Sequence, residues 1–220
     1  MTQTDLRTIY AQRFDSEAER RKMAMWREIV RAVDRVTPLR GSILDVACDQ
    51  GYFIRNVGAA DRWATDVRDL SASFGSDIRF LQSDGLKLTS AVGDARFDVV
   101  FISNYLEHLP SSDAVIEQLR QASAVLRPGG RVVILQPNIR YTGPAYWDFI
   151  DHRVPLTERS LAEACGAAGL RVERVVPRFL PYTTKSRLPQ HPALVRLYLR
   201  IPLAWRLLGQ QTLMVASRGG

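Results

Sequence analysis

The sequence predicts an α/β fold: a doubly wound, mostly parallel sheet with helices on both faces. Three observations carry this. Five short apolar runs, SILDVA, RWATDV, DIRFLQ, FDVVFIS and RVVIL, alternate with helical stretches, and parallel strands need right-handed crossover helices that come to lie on either side of the sheet. The chain has 220 residues, 46% hydrophobic and 24% charged, enough for one sizeable core with embellishments rather than two domains. Its 14 Gly and 11 Pro are scattered without period, which excludes collagen-like, coiled-coil and mainly disordered classes.

The elements follow in order. Residues 1–40 read as a helical cap: Ser16 and Glu19 have capping-box spacing, and Met23, Trp26, Ile29, Val30, Val33 and Val36 recur at helical spacing up to Pro38. Residues 41–136 form the core, with a helix from Gly51 after the first strand and a short helix after the second. A further helix from about Ser111 to Arg127 stops at Arg127-Pro128-Gly129-Gly130. Residues 137–156 are an irregular aromatic loop. Thr157 caps a helix running to Gly169, LRVERVVP is a strand, residues 178–210 are a basic insertion broken at Pro202, and QTLMVAS is the last strand.

Charge is unevenly placed. The formal net charge is +7, yet residues 171–220 hold nine basic residues against one acidic, Glu173. A near-neutral body is followed by a basic tail, which points to an anionic partner: nucleic acid, a membrane surface or a phosphorylated substrate. Cys48 and Cys165 are the two cysteines, too few for a disulfide framework or a cysteine-based zinc site, and a reducing cytoplasm fits them. The opening MTQTDLRTIYAQRFD lacks an export signal, and no run approaches the roughly 18 apolar residues of a membrane span. The expectation is a cytoplasmic protein, with peripheral contact at a membrane open to the tail.

In a doubly wound sheet, ligands bind beyond the carboxyl ends of the strands, so the residues just after each run are the informative ones. The first run ends in ILDVACDQGYF, placing Asp45, Ala47, Cys48, Asp49 and Gly51 in the position of a nucleotide-binding turn. Asp49 would put negative charge into a diphosphate cradle, which argues against a dehydrogenase. It suits a ligand with an adenosine and a cationic end but no phosphate, and S-adenosylmethionine is such a ligand. Asp66 ends the second run, 21 positions after Asp45, where a carboxylate accepts from both ribose hydroxyls. Asp84 and Gly85, after the third, suit the amine and a ring nitrogen of adenine. Each acidic residue alone could equally be a turn or helix cap.

Taken together, ILDVACDQG, WATDV, QSDG, FDVVFISNYLEHL and LRPGGRVVI resemble the successive motifs of the class I S-adenosylmethionine-dependent methyltransferases, over roughly Ser42 to Leu135. The resemblance implies a seven-stranded sheet with the last strand antiparallel. It also implies that Asp45 and the turn Ala47 to Gly51 hold the methionine end, Asp66 the ribose, and Asp84 with Gly85 the adenine. Asn104 would line the pocket, with Tyr10 or Arg13 closing over it. The family's glycine-rich first motif is altered here: Ala47 and Asp49 replace its first two glycines. Ala is tolerable where φ is negative, and Asp enters the left-handed region more readily than most residues.

Methyl transfer from a sulfonium needs alignment and exclusion of water, and no metal is required. An oxygen acceptor of high pKa gains from a general base, for which His152 and His108 are the candidates beside the cleft. Both could instead be hydrogen-bonding loop residues. Tyr141, Tyr146, Trp147 and Asp148 in the aromatic loop would form a wall suited to a sugar or ring, or simply a packed lid. The basic insertion would be an acceptor lid, with Lys185 and Arg187 as phosphate contacts. Its apolar residues either pack on the core or lie on anionic lipid. The function expected is methyl transfer to a hydroxyl of a small-molecule or glycosylated acceptor, phosphate- or lipid-linked ones included. The alternatives are an RNA methyltransferase and a non-catalytic binding protein of the same fold. SNYL stands where a base N-methyltransferase carries an N-P-P-Y-type tetrapeptide, and no RNA-binding module is appended, so nucleic acid is disfavoured.

Overall fold

The computed structural model describes residues 16–182 and 191–218. Its elements are α1 (Ser16–Val36), β1 (Ser42–Val46), β2 (Asp61–Asp66), β3 (Arg79–Gln82), α2 (Leu88–Val92), β4 (Phe97–Ser103), α3 (Ser112–Ala124), β5 (Leu126–Pro137), α4 (Ile139–Thr142), α5 (Glu158–Ala167), β6 (Leu170–Leu180), α6 (Pro192–Arg200), α7 (Pro202–Leu208) and β7 (Gln211–Arg218). The seven strands lie in the order β3-β2-β1-β4-β5-β7-β6. The pairs among β1 to β5 are parallel, and β7 runs antiparallel to both β5 and β6. The doubly wound sheet and its antiparallel last strand agree with the expectation.

Strand alternation builds two cores. Leu44, Val100, Ile102, Val132 and Ile134 face one layer with Leu88, Leu119, Leu161 and Cys165 from α2, α3 and α5. Their neighbours Ile43, Val99, Phe101, Val133 and Leu135 face the other, against Val30 and Val33 of α1, Phe53 and Ile54, and Leu199 of α6. Side chains on successive strand residues point to opposite faces, so a sheet apolar at every position must be covered twice.

Several boundaries differ from expectation. Glu19 accepts from the Tyr52 hydroxyl at 2.6 and 2.7 Å. That bond, with Asn56 Nδ2 donating to the Met23 carbonyl at 3.2 Å, fastens α1 over the segment after β1. The helix expected from Gly51 is a run of turns through Asn56, because Gly51 sits at φ +69 and begins the segment outside the helical region. The helix before β5 ends at Ala124, and Leu126-Arg127-Pro128-Gly129-Gly130 already belongs to the strand. Thr157 caps α5 as expected, in a reciprocal capping box with Ser160. The insertion breaks at Pro202 into α6 and α7.

Candidate functional site

The site lies beyond the carboxyl ends of β1 to β5, where the strand order turns back between β1 and β4. Its floor is the turn after β1. Ala47, Asp49 and Gly51 have φ of 53°, 49° and 69°, so all three places that the family reserves for glycine adopt the left-handed backbone. Ala47 therefore lacks the negative φ under which Ala replaces Gly at no cost, and it carries the steric cost of a Cβ in that region, roughly 1–2 kcal/mol. A Cβ on Gly51 would stand 2.5 Å from the Phe74 ring, so this one position cannot take a side chain without displacing that ring.

Asp45 is buried in β1 at 3% exposure. Burial lifts its carboxyl well above the usual range, opposed by a backbone N–H at Ile54 and reinforced by the negative charges of Asp66 and Asp49. Burial, with the same three carboxylates, also pushes the Cys48 thiol upward and keeps it an unreactive, neutral group. Asp66, at the end of β2, accepts from the backbone N–H groups of Asp49 at 3.1 Å and Arg68 at 3.0 Å. It also takes the Arg68 guanidinium, whose Nη2 reaches Asp49 Oδ1 at 2.8 Å. Arg68, which sequence reasoning missed, therefore neutralises the very carboxylate that replaces a glycine, and it occupies the oxygens assigned to the ribose.

Gly85, expected at the adenine end, is closely walled. A Cβ there would lie 2.3 Å from Gln118 Oε1 and 2.7 Å from the Tyr105 hydroxyl. Gln118 is fully buried, and among the described residues neither its Oε1 nor its Nε2 has a partner. Burial, then the charges of Asp84 and Asp66, raise the Tyr105 hydroxyl, so it stays a donor. Asp84 is exposed and accepts from the Leu86 N–H at 3.0 Å, the turn-cap role, which leaves its second oxygen outward. Asn104 follows β4 at φ +47, and its N–H donates to the Leu135 carbonyl at 2.9 Å. Such strain at a strand end is characteristic of ligand sites. The left-handed turn, the Asp66 carboxylate and the Gly85 cradle together fit S-adenosylmethionine.

Past β4 and β5 the two expected histidines do meet. The rings of His108 and His152 are 4.9 Å apart, edge to face. His108 Nδ1 lies 3.2 Å from the Asp151 carbonyl and 3.4 Å from its carboxylate, and Nε2 lies 4.0 Å from Glu107 Oε1. Glu107 is 1% exposed, and its Oε2 and the His152 Nδ1 are both buried without a partner among the described residues. Burial drives the Glu107 carboxyl up to about 7 against the pull of His108. Burial, then the charge of His108, lowers His152 below its ordinary value. The ligand atoms of Glu107, His108 and His152 lie within 4.8 Å of one another, a donor set that could share a proton or hold a divalent cation.

The aromatic loop frames this group unevenly. Tyr146 is fully buried, its hydroxyl donating to the Val154 carbonyl and its ring 4.7 Å from that of His152, so it backs the histidine. Phe149 stacks on His152 at 5.0 Å. Trp147 is 52% exposed and Asp148 is exposed. Tyr141 lies under the Arg178 guanidinium at 4.8 Å. Tyr182, just past β6, contacts Phe149 at 5.8 Å, and its hydroxyl is raised by burial and by the charges of Glu107, Asp148 and Asp151. It joins the cleft from a segment read as lid. Lys185, Arg187, Tyr10 and Arg13 lie outside the described residues.

Comparison with known proteins agrees with this geometry. The methyltransferase-domain family matches residues 16–175. The chain is 34% identical over 122 residues to 27-O-demethylrifamycin SV methyltransferase of Amycolatopsis mediterranei (strain S699), covering 47% of this chain and 43% of that protein. It thus spans less than half the length of that relative. Among solved structures, the complex of the Haloferax volcanii Trm112 methyltransferase activator with its methyltransferase superposes with a TM-score of 0.64 at 14% identity, over 94% of this chain and 95% of that one. A SAM-dependent methyltransferase from Archaeoglobus fulgidus gives 0.60 at 20% identity, over 87% and 94%. At such identities these structures establish the fold. With a matched family model, the same sheet order and a strand-end site suited to S-adenosylmethionine, the chain belongs to the class I S-adenosylmethionine-dependent methyltransferase domain family.

Proposed function

We propose that the protein transfers a methyl group from S-adenosylmethionine to a hydroxyl of a small-molecule or glycosylated acceptor. The observation that carries this reading is the meeting of His108 and His152 with Glu107 and Asp151 beyond β4 and β5, with two buried polar atoms unpaired among the described residues. An oxygen acceptor is the kind that needs such a group. When bound, S-adenosylmethionine supplies a methyl carbon already activated by its sulfonium. The chain's own residues do the rest. Asp66 and the Ala47 to Gly51 turn fix the donor, and Gly85 and Tyr105 seat its base. His152, neutral at pH 7 because burial lowers its pKa, takes the proton of the acceptor hydroxyl as its oxygen gains the methyl. The proton stays on His152, whose charged form the Asp151 carboxylate favours, until it is released to solvent after transfer.

The curated relative is named for methylation of an oxygen on a small molecule, which supports the acceptor class. Exposed Trp147 and Asp148 supply an apolar face and a polar edge for a ring or sugar. The test is formation of S-adenosylhomocysteine with a panel of phenolic, sugar and phosphosugar acceptors, for wild type, His152→Ala and His152→Gln. Turnover on hydroxyl acceptors that falls at least about a hundredfold in both variants, with cofactor affinity kept, supports the reading. Transfer to a nitrogen acceptor or RNA, or turnover unchanged in both variants, overturns it.

A further inference from the structure

The geometry points to a docking site for an anionic lipid surface, built from a guanidinium pocket between α1 and α6 and an apolar stripe along α6 and α7. The inference is independent of the methyl acceptor and goes beyond the proposed reaction.

The pocket is a cavity of about 140 Å³ lined by Glu28, Arg31, Arg35, Arg196, Leu199 and Arg200. One carboxylate organises it. Glu28, buried at 7%, accepts from Arg31 Nη1 and Arg196 Nη2 at 2.8 Å each. Its carboxyl is held below the usual range chiefly by the Arg196 hydrogen bond. Arg35 Nη2 donates to the Leu199 carbonyl at 3.3 Å, and among the described residues no carboxylate pairs with Arg35, Arg200 or Arg206. Four guanidiniums around one carboxylate leave a strong positive excess at the mouth of a cavity, the arrangement that captures a phosphate.

Beside it, α6 and α7 are apolar on two sides. Val195, Tyr198, Leu199 and Trp205 pack on the core shared with α1. Leu194, Leu197, Ile201, Leu203, Leu207 and Leu208 face outward, with Leu203 64% and Leu207 70% exposed. Exposed leucines at this density mark a surface that is covered in use. Residues 178–220 contain seven basic residues and no acidic one. A second copy of this face would set like charge against like, and a nucleic acid offers nothing for six aliphatic side chains to enter. A bilayer with anionic headgroups supplies both a phosphate for the pocket and an acyl boundary for the leucines. Among the described residues no helix is long and apolar enough to cross a membrane, so the contact is with the surface.

The experiment is co-sedimentation of the full chain with phosphatidylcholine vesicles and with vesicles containing about one-third phosphatidylglycerol, at low and high salt. Binding to the anionic vesicles, lost at high salt and absent with phosphatidylcholine, is expected. Leu203→Ser with Leu207→Ser, and separately Arg35→Ala with Arg200→Ala, should each weaken it at least about tenfold. S-adenosylmethionine affinity should stay unchanged in both, since these side chains lie outside the reaction site, and the melting temperature should stay unchanged in the leucine variant. Equal partition into both vesicle types, or the leucine variant binding like wild type, overturns the proposal. So does tight binding of inorganic phosphate without any vesicle binding, or a lipid-free dimer that the leucine variant abolishes.

Discussion

Arg68 grips Asp66 through two parallel contacts, Nε to Oδ1 at 2.9 Å and Nη2 to Oδ2 at 3.0 Å. The same Nη2 bonds Asp49, so one cation serves the two carboxylates Asp66 and Asp49. Ribose hydroxyls and this guanidinium want the same two oxygens. Arg68→Ala should therefore tighten S-adenosylmethionine about fivefold or more while lowering the stability of the free protein by about 1–3 kcal/mol. Calorimetric titration and thermal melts, with and without cofactor, check both signs. Asp66→Ala should lose at least about a hundredfold in affinity and keep the fold.

Ala47 at φ +53 is a residue in glycine's place. Ala47→Gly removes the Cβ clash but adds flexibility to the unfolded chain, for a net gain of up to about 1 kcal/mol. Chemical denaturation measures it. A loss of stability would mean that the turn has relaxed around the methyl group.

Gly85 makes the opposite prediction. A methyl group there would meet Gln118 Oε1 and the Tyr105 hydroxyl well inside contact distance, so Gly85→Ala must displace both side chains, Gln118 from a fully buried position. Cofactor affinity should fall more than about tenfold, and stability should fall by about 1–3 kcal/mol, as at an overpacked core position. Equal affinity would move adenine elsewhere.

Acidity should act on the histidine group in a definite direction. His152 has a lowered pKa, so turnover should persist through mild acid and fall only below the ordinary histidine range near 6.5. In that window the unfolded chain binds the proton more tightly, so the contribution of His152 to stability increases as pH rises. Glu107 runs the other way. Its carboxyl is raised from 4.5 to about 7, so the stability tied to its protonated form is complete below about 4.5 and is lost as pH rises through about 7. Glu107→Gln should accordingly stabilise the fold at pH 8 relative to wild type, by on the order of 1–3 kcal/mol. Melts across the pH range decide it.

The placing of Asp45 and Asp66 at one edge of the sheet was legible because strand-end carboxylates are local features. Asp45 and Asp66 follow apolar runs, and their ends converge whenever the strands pair in parallel, as Asp45 and Ala64 do in register. What was hidden depends on packing. Tyr105 and Gln118 reach Gly85 from other elements, and no spacing reveals that. Glu107 reads in the sequence as part of a polar LEH turn, yet a single 3-10 turn over Leu106–His108 turns it inward to 1% exposure. Arg68 was available to be noticed: an arginine two positions beyond a strand-end carboxylate, and near an aspartate in a glycine's place, is a natural counter-ion. In the insertion, the break at Pro202 was readable from proline chemistry, whereas the side on which α6 lies was decided by Leu199 and the Glu28–Arg196 pair.

The measurement that tests the central claim most directly is calorimetric titration of wild type and Arg68→Ala with S-adenosylmethionine and S-adenosylhomocysteine. One-site binding of both ligands at micromolar or lower dissociation constants, tighter in Arg68→Ala, is the predicted result. Absence of binding to either ligand by both folded proteins would contradict it and leave a methyltransferase fold that serves as a binding protein alone.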